Sequence, residues 1–145
     1  MTQAESRLYA GPLPEKTVKQ KTNNLSPAES GTFINLDGIK MTVILTAPNG
    51  VVNQDTLFHF KQQGELVTGE YEGGRIIKGF LAGISRRNSL TFTFCQVHTD
   101  REFRSGQSAC EIIFSHQGRI RIIERFSWDS PENDSGINVF EEIKA

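Results

Sequence analysis

One carboxylate is conspicuous for the side chains around it. Glu124 lies in the run Arg119–Trp128, whose residues alternate as side chains do across a β-strand. Ile120, Ile122, Glu124, Phe126 and Trp128 fall on one face, and Arg119, Arg121, Ile123, Arg125 and Ser127 on the other. The arginines belong in water, so Glu124 is expected inside. A carboxylate taken out of water without compensation is costly, so it must be ion-paired, hydrogen-bonded or protonated.

The run Leu90–His98 divides in the same way. Leu90, Phe92, Phe94, Gln96 and His98 share the aromatic face, with His98 nearer a mouth. Gln96 and Tyr71 are the candidate neutral partners of Glu124. Lys78, read as sharing a face with Ile76 and Phe80, is the candidate counter-charge. Two interpretations stay open. In one, Glu124 meets a Lys or Arg and only fixes strand register. In the other, it serves a site whose wall is Phe92, Phe94, Phe126 and Trp128, with Gln96, Lys78 and His98 as polar contacts. There Glu124 could act as an acid or base, with Tyr71 or Gln96 holding an oxyanion. A single bulge would reverse the parity on which these assignments rest.

Other chemistries lack their residues. The chain has no Gly-x-x-x-x-Gly-Lys phosphate loop, no Cys-x-x-Cys, no His-Glu-x-x-His and no Gly-x-Ser-x-Gly. His59, His98 and His116 lie on separate segments, and His59 alternates with Phe58 and Phe60, as a surface residue would. No metal or cofactor is expected.

The elements that would position these side chains are short β-type runs between turn signals. Asp37-Gly38, Asn49-Gly50, Gln63-Gly64, Gly73-Gly74, Arg87-Asn88, Thr99-Asp100 and Gln117-Gly118 mark reversals. On this reading Phe33–Leu36 pairs with Ile39–Val43, and Val43–Leu45 pairs with Val51-Val52. A last strand runs from Ile137 to Ile143 after the loop at 130–136. No segment carries a helical stripe. Successive hairpins form a meander. With about eight or nine strands, it removes its edges by closing. The expected fold is a single all-β, antiparallel up-and-down barrel of the lipocalin or calycin type over residues 31–145. Gly69, Gly79, Gly83 and Gly106 fall inside strands, where they let the sheet curl. Residues 1–30, with Pro12, Pro14 and Pro27 and few large apolar side chains, read as an extended or flexible arm.

The totals agree with one small domain. The 145 residues are 37% hydrophobic and 23% charged, which suits one globular core. A net charge of −1 gives no field that would gather nucleic acid or an anionic membrane. Phe103-Arg104 and Arg125-Phe126 interleave aromatic and basic residues, as a single-stranded nucleic-acid site could, but an apolar interior with a solvated exterior is the simpler reading, and no nucleic acid is expected. No basic-then-apolar leader is seen at Met1–Glu5, so the expectation is a cytoplasmic protein with Cys95 and Cys110 reduced.

Phe58–Gly64, Tyr71–Ile76, Gly79–Gly83, Gln96-Val97, Gly118–Arg121, Glu124, Phe126–Trp128 and Val139–Glu142 together resemble a family of small bacterial proteins. The family has no assigned activity, and its members often carry the label N-acetylglutamate synthase. The resemblance spans residues 39–143 and implies a lipocalin-like or related barrel. Relatives tend to have tryptophan where this chain has Phe126, and histidine where it has Cys95. Any pocket those positions shape would therefore differ here.

Three functions follow from these features. The first is a barrel that holds a small apolar or amphipathic molecule in an aromatic-lined cavity. The second is a cofactor-independent isomerase or cyclase that uses Glu124. The third is a packed barrel that associates with other proteins, with a homo-oligomer left open. The sequence also makes a direct prediction about the arm. Deleting residues 1–28 leaves the β-sheet circular dichroism and melting temperature unchanged, because the arm supplies few core side chains. A large drop in melting temperature would show that the arm packs into the barrel.

Overall fold

The structure is a computed structural model that describes residues 34–131 and 133–144. The expected arm over 1–30 lies outside the described residues. Eight antiparallel strands follow in chain order: β1 Lys40–Leu45, β2 Leu57–Gln63, β3 Leu66–Gly73, β4 Ile76–Arg86, β5 Ser89–His98, β6 Phe103–Phe114, β7 Ile120–Trp128 and β8 Ser135–Glu142. Each pairs with the next, and β8 returns to β1 through Met41↔Glu142 and Val43↔Phe140. The sheet is a closed up-and-down barrel, as the hairpin spacing implies. Alternation along the strands sets its inside. In β5, Leu90, Phe92, Phe94, Gln96 and His98 are buried, while Ser89, Thr91, Thr93 and Cys95 are exposed. Cys110 points inward from the neighbouring strand, so the two cysteines face opposite sides of the wall and both are free thiols.

Three expectations change. Ile34–Leu36 forms no strand; it turns through Asp37-Gly38 and caps one end of the barrel. Leu36 is fully buried, and its N–H donates to Gln62 Oε1 at 2.9 Å. Val51-Val52 is not a hairpin arm either. Residues 46–56 form a long loop at the opposite end, with Val51 and Val52 turned into the core. Finally, Lys78 is outside. Ile76 pairs with His98 but Lys78 pairs with Val97, so Ile77 is an extra residue and the parity of β4 reverses there. Lys78 consequently bridges Glu70 at 3.1 Å and Glu72 at 3.0 Å on the outer wall, and Phe80 is half exposed rather than inward.

The capped end is filled by aliphatic side chains such as Met41, Val67, Leu90, Ile112 and Ile122, together with Phe60. Aromatic rings crowd the other end. Phe58 stacks on Tyr71 and Phe140 with centroids 4.5 and 4.6 Å away, and Phe94 and Phe126 meet Trp128 edge-on at 5.6 and 5.5 Å. A narrow barrel can hold so many rings only if their neighbours are small. Tyr71 pairs with Gly79, Phe94 with Gly106, and Phe126 with Gly136. A Cβ at any of these glycines would overlap the facing ring. Gly79 and Gly106, expected to curl the sheet, thus also make room for its contents, as does Gly136. Gly79→Ala should accordingly cost about 1–3 kcal/mol in chemical denaturation, as forced overpacking does. Wild-type stability would mean that the Tyr71 ring has freedom to move aside.

Candidate functional site

The aromatic end carries the polar groups. β7 presents Glu124 on the same inner face as Ile122 and Phe126, and it is 5% exposed. Ser108 of β6 donates its hydroxyl to Oε2 at 2.6 Å, and Asn138 of β8 donates Nδ2 to Oε1 at 2.9 Å. Both residues are buried. Among the described residues no lysine or arginine forms an ion pair with Glu124. Burial pushes its carboxyl above the ordinary 4.5, and the Ser108 and Asn138 hydrogen bonds partly oppose that.

A second chain of polar groups runs along the same end. Tyr71 donates its hydroxyl to Gln96 Oε1 at 2.6 Å, and Gln96 Nε2 lies 2.8 Å from His98 Nε2. An amide nitrogen only donates, so in this arrangement His98 Nε2 accepts and the imidazole is neutral. Burial agrees, lowering the His98 pKa, with Asp100 pulling the other way. The Tyr71 phenol is held well above its ordinary value, first by burial and then by the charge of Glu124. Cys110, opposite Glu124 in register, is raised for the same two reasons.

A crevice joins these groups. It is lined by Tyr71, Gln96, Glu124 and Asn138, by the rings of Phe92, Phe94, Phe126 and Trp128, and by Gly50–Val52 of the β1–β2 loop. Its free space is about 340 Å³ with open solvent included, of which about 20 Å³ admits the centre of a water-sized guest. That accommodates one water-sized group, which needs roughly 10–15 Å³ by the same measure. The loop is fastened over the crevice. Ala47 N–H donates to Asn138 Oδ1 at 2.8 Å, Trp128 Nε1 donates to the Asn49 carbonyl at 3.3 Å, and Asn49 Nδ2 donates to Asp134 at 2.7 Å.

The structure therefore brings Glu124, Tyr71, Gln96, Phe92, Phe94, Phe126 and Trp128 to one crevice. His98 stands behind Gln96, and Lys78 is excluded by the bulge. Gln96 and Tyr71 bond each other rather than Glu124. The direct partners of Glu124, Ser108 and Asn138, do not emerge from the sequence reading. A parity signal exists for both, since Asn138 shares a face with Phe140 in β8, and Ser108 with Cys110 and Ile112 in β6.

This geometry is a closed barrel with polar groups gathered at its aromatic end, and the comparisons give its relationship. A family model described as "Avidin-like protein" matches residues 34–143, the whole barrel. The chain belongs to the avidin-like family. Among solved structures, the X-ray structure of biotin binding protein from chicken is similar, at 14% identity and a TM-score of 0.44 over 75% of this chain and 96% of that one. No curated protein matches the chain. The calycin-like barrel implied by the sequence resemblance is borne out.

The carboxyl of Glu124 yields a signed prediction. Its folded-state pKa lies above the unfolded value, so the stabilisation from holding the proton is full below about 4.5 and is lost as pH rises through the folded pKa. Glu124→Gln copies the protonated form, and its amide nitrogen can face Ser108, whose hydroxyl accepts as well as it donates. Melting curves should nearly coincide at acidic pH and separate toward neutrality, with the variant the more stable. A variant that is less stable at neutral pH would show that Glu124 is held by a cation.

Proposed function

We propose that this protein is a small-molecule-binding barrel whose ligand enters the aromatic end between Glu124 and the β1–β2 loop. The buried carboxylate carries the reading. A packed core gains nothing from a charged group with two hydrogen bonds and no ion pair, so a carboxylate kept there is expected to meet something. Its setting supports this. Aromatic walls with a few convergent polar groups are the usual make-up of a ligand site. The crevice admits only a small group as it stands, so a larger ligand displaces Val51 and Val52. The loop they belong to is held largely by side-chain–backbone hydrogen bonds, which suits it to movement.

The acid–base alternative has one specific observation in its favour, the raised pKa of Glu124. Tyr71 weakens it, because its hydroxyl is committed to Gln96 and not free for an oxyanion. The packed-barrel alternative draws on the narrowness of the crevice.

Trp128 is the chain's single tryptophan and lines the crevice, so its emission reports occupancy. Titrating the full-length protein with a panel of small heterocycles, biotin among them, should give saturable one-to-one changes. By mass action, a ligand at a hundred times its Kd adds about 2.7 kcal/mol of stability. Native mass spectrometry of protein purified from its host should show a retained small molecule. Flat titrations together with a bare mass would leave the packed barrel as the function.

A further inference from the structure

Resting on the ligand-binding reading, we propose that the polar end of the ligand is a small organic cation, an ammonium or amidinium group seated on Glu124. The argument is a census of donors and acceptors at the crevice. The Ser108 hydroxyl is spent on Glu124 and the Tyr71 hydroxyl on Gln96. The Trp128 indole N–H is spent on the Asn49 carbonyl. Asn138 gives an amide proton to Glu124, and Gln96 turns its amide nitrogen to His98. The side chains have turned most of their protons on one another. What they leave facing the crevice is mainly lone pairs. Each Glu124 oxygen has accepted one hydrogen bond and can accept another. A ligand that fits must therefore bring donors.

Charge narrows the class further. No lysine, arginine or histidine lines the crevice. The guanidinium of Arg104 is engaged elsewhere, stacked 4.2 Å from the Trp128 ring centroid and bonded to the Ser130 carbonyl. Lys78 pairs with Glu70 and Glu72, Arg86 with Glu65, and Arg119 and Arg121 with Glu141, none of them with Glu124. A donor-rich cation would supply the missing counter-charge. The walls suit it as well, since the rings of Phe92, Phe94 and Phe126 line the crevice and aromatic rings attract cations. Size agrees too: an ammonium head is close to a water molecule in bulk, which is what the crevice admits.

Three ligands of matched shape test this on the full-length protein: benzylammonium, benzyl alcohol and benzoate, each followed by Trp128 emission and calorimetry. Benzylammonium should bind at least about tenfold more tightly than benzyl alcohol, and benzoate should not bind. In Glu124→Gln the preference for the amine should vanish while the alcohol still binds. Ser108→Ala keeps the charge and frees one oxygen, so it should retain the preference, which guards against misfolding of the first variant. Equal binding of amine and alcohol in the wild type, or an amine preference that survives Glu124→Gln, would overturn the proposal. If neutral heterocycles bind and benzylammonium does not, the cation inference fails while the ligand site stands. If nothing binds at all, both fall.

Discussion

The ladder between β1 and β8 is the constraint on which everything else rests. Once Met41 meets Glu142 and Val43 meets Phe140, the sheet has no edge, and one face of every strand must fit a fixed interior. That limit selects residues in pairs. Rings from one strand sit above glycines of the next, as with Tyr71 on Gly79 and Phe94 on Gly106. It also separates the two ends. Ile34 and Leu36 pack into the capped end as plain hydrophobic core, while polar side chains gather at the end covered by the β1–β2 loop.

Within that end, satisfaction of hydrogen bonds is local and almost complete. The two polar chains, Ser108–Glu124–Asn138 and Tyr71–Gln96–His98, run side by side and share no hydrogen bond between them. They communicate through charge, since Glu124 contributes to holding the Tyr71 phenol neutral. The donors at this end are committed to one another, while Glu124 forms no ion pair among the described residues.

What could be read from the chain follows how local the information is. Alternation in β5 and β7 is strict, so the inward set from Leu90 to His98 and from Ile120 to Trp128 was legible, Glu124 included. Counting parity from Ile76 fails at Lys78 because one extra residue, Ile77, reverses the alternation for the part of β4 that follows it. Asn49-Gly50 looks like a hairpin, yet its surroundings bond across the barrel to Asn138, Trp128 and Asp134, which lie far away in sequence. Ser108 and Asn138 were missed for a related reason. Each is unremarkable on its own strand and gains meaning only when β6, β7 and β8 are laid beside one another.

Asn138 has a consequence that reaches beyond the crevice. Its single amide group holds Glu124 with its nitrogen and the backbone of Ala47 with its oxygen. The two tasks cannot be separated, because turning the amide to suit one partner presents the wrong atom to the other. The covering segment and the carboxylate are thereby joined in one thermodynamic cycle. Any coupling between the two is reciprocal: the free energy by which seating the segment shifts the protonation of Glu124 equals that by which the protonation of Glu124 shifts the seating. Through Asn138, a buried ionisable group and the β1–β2 loop that covers its end of the barrel share a single side chain.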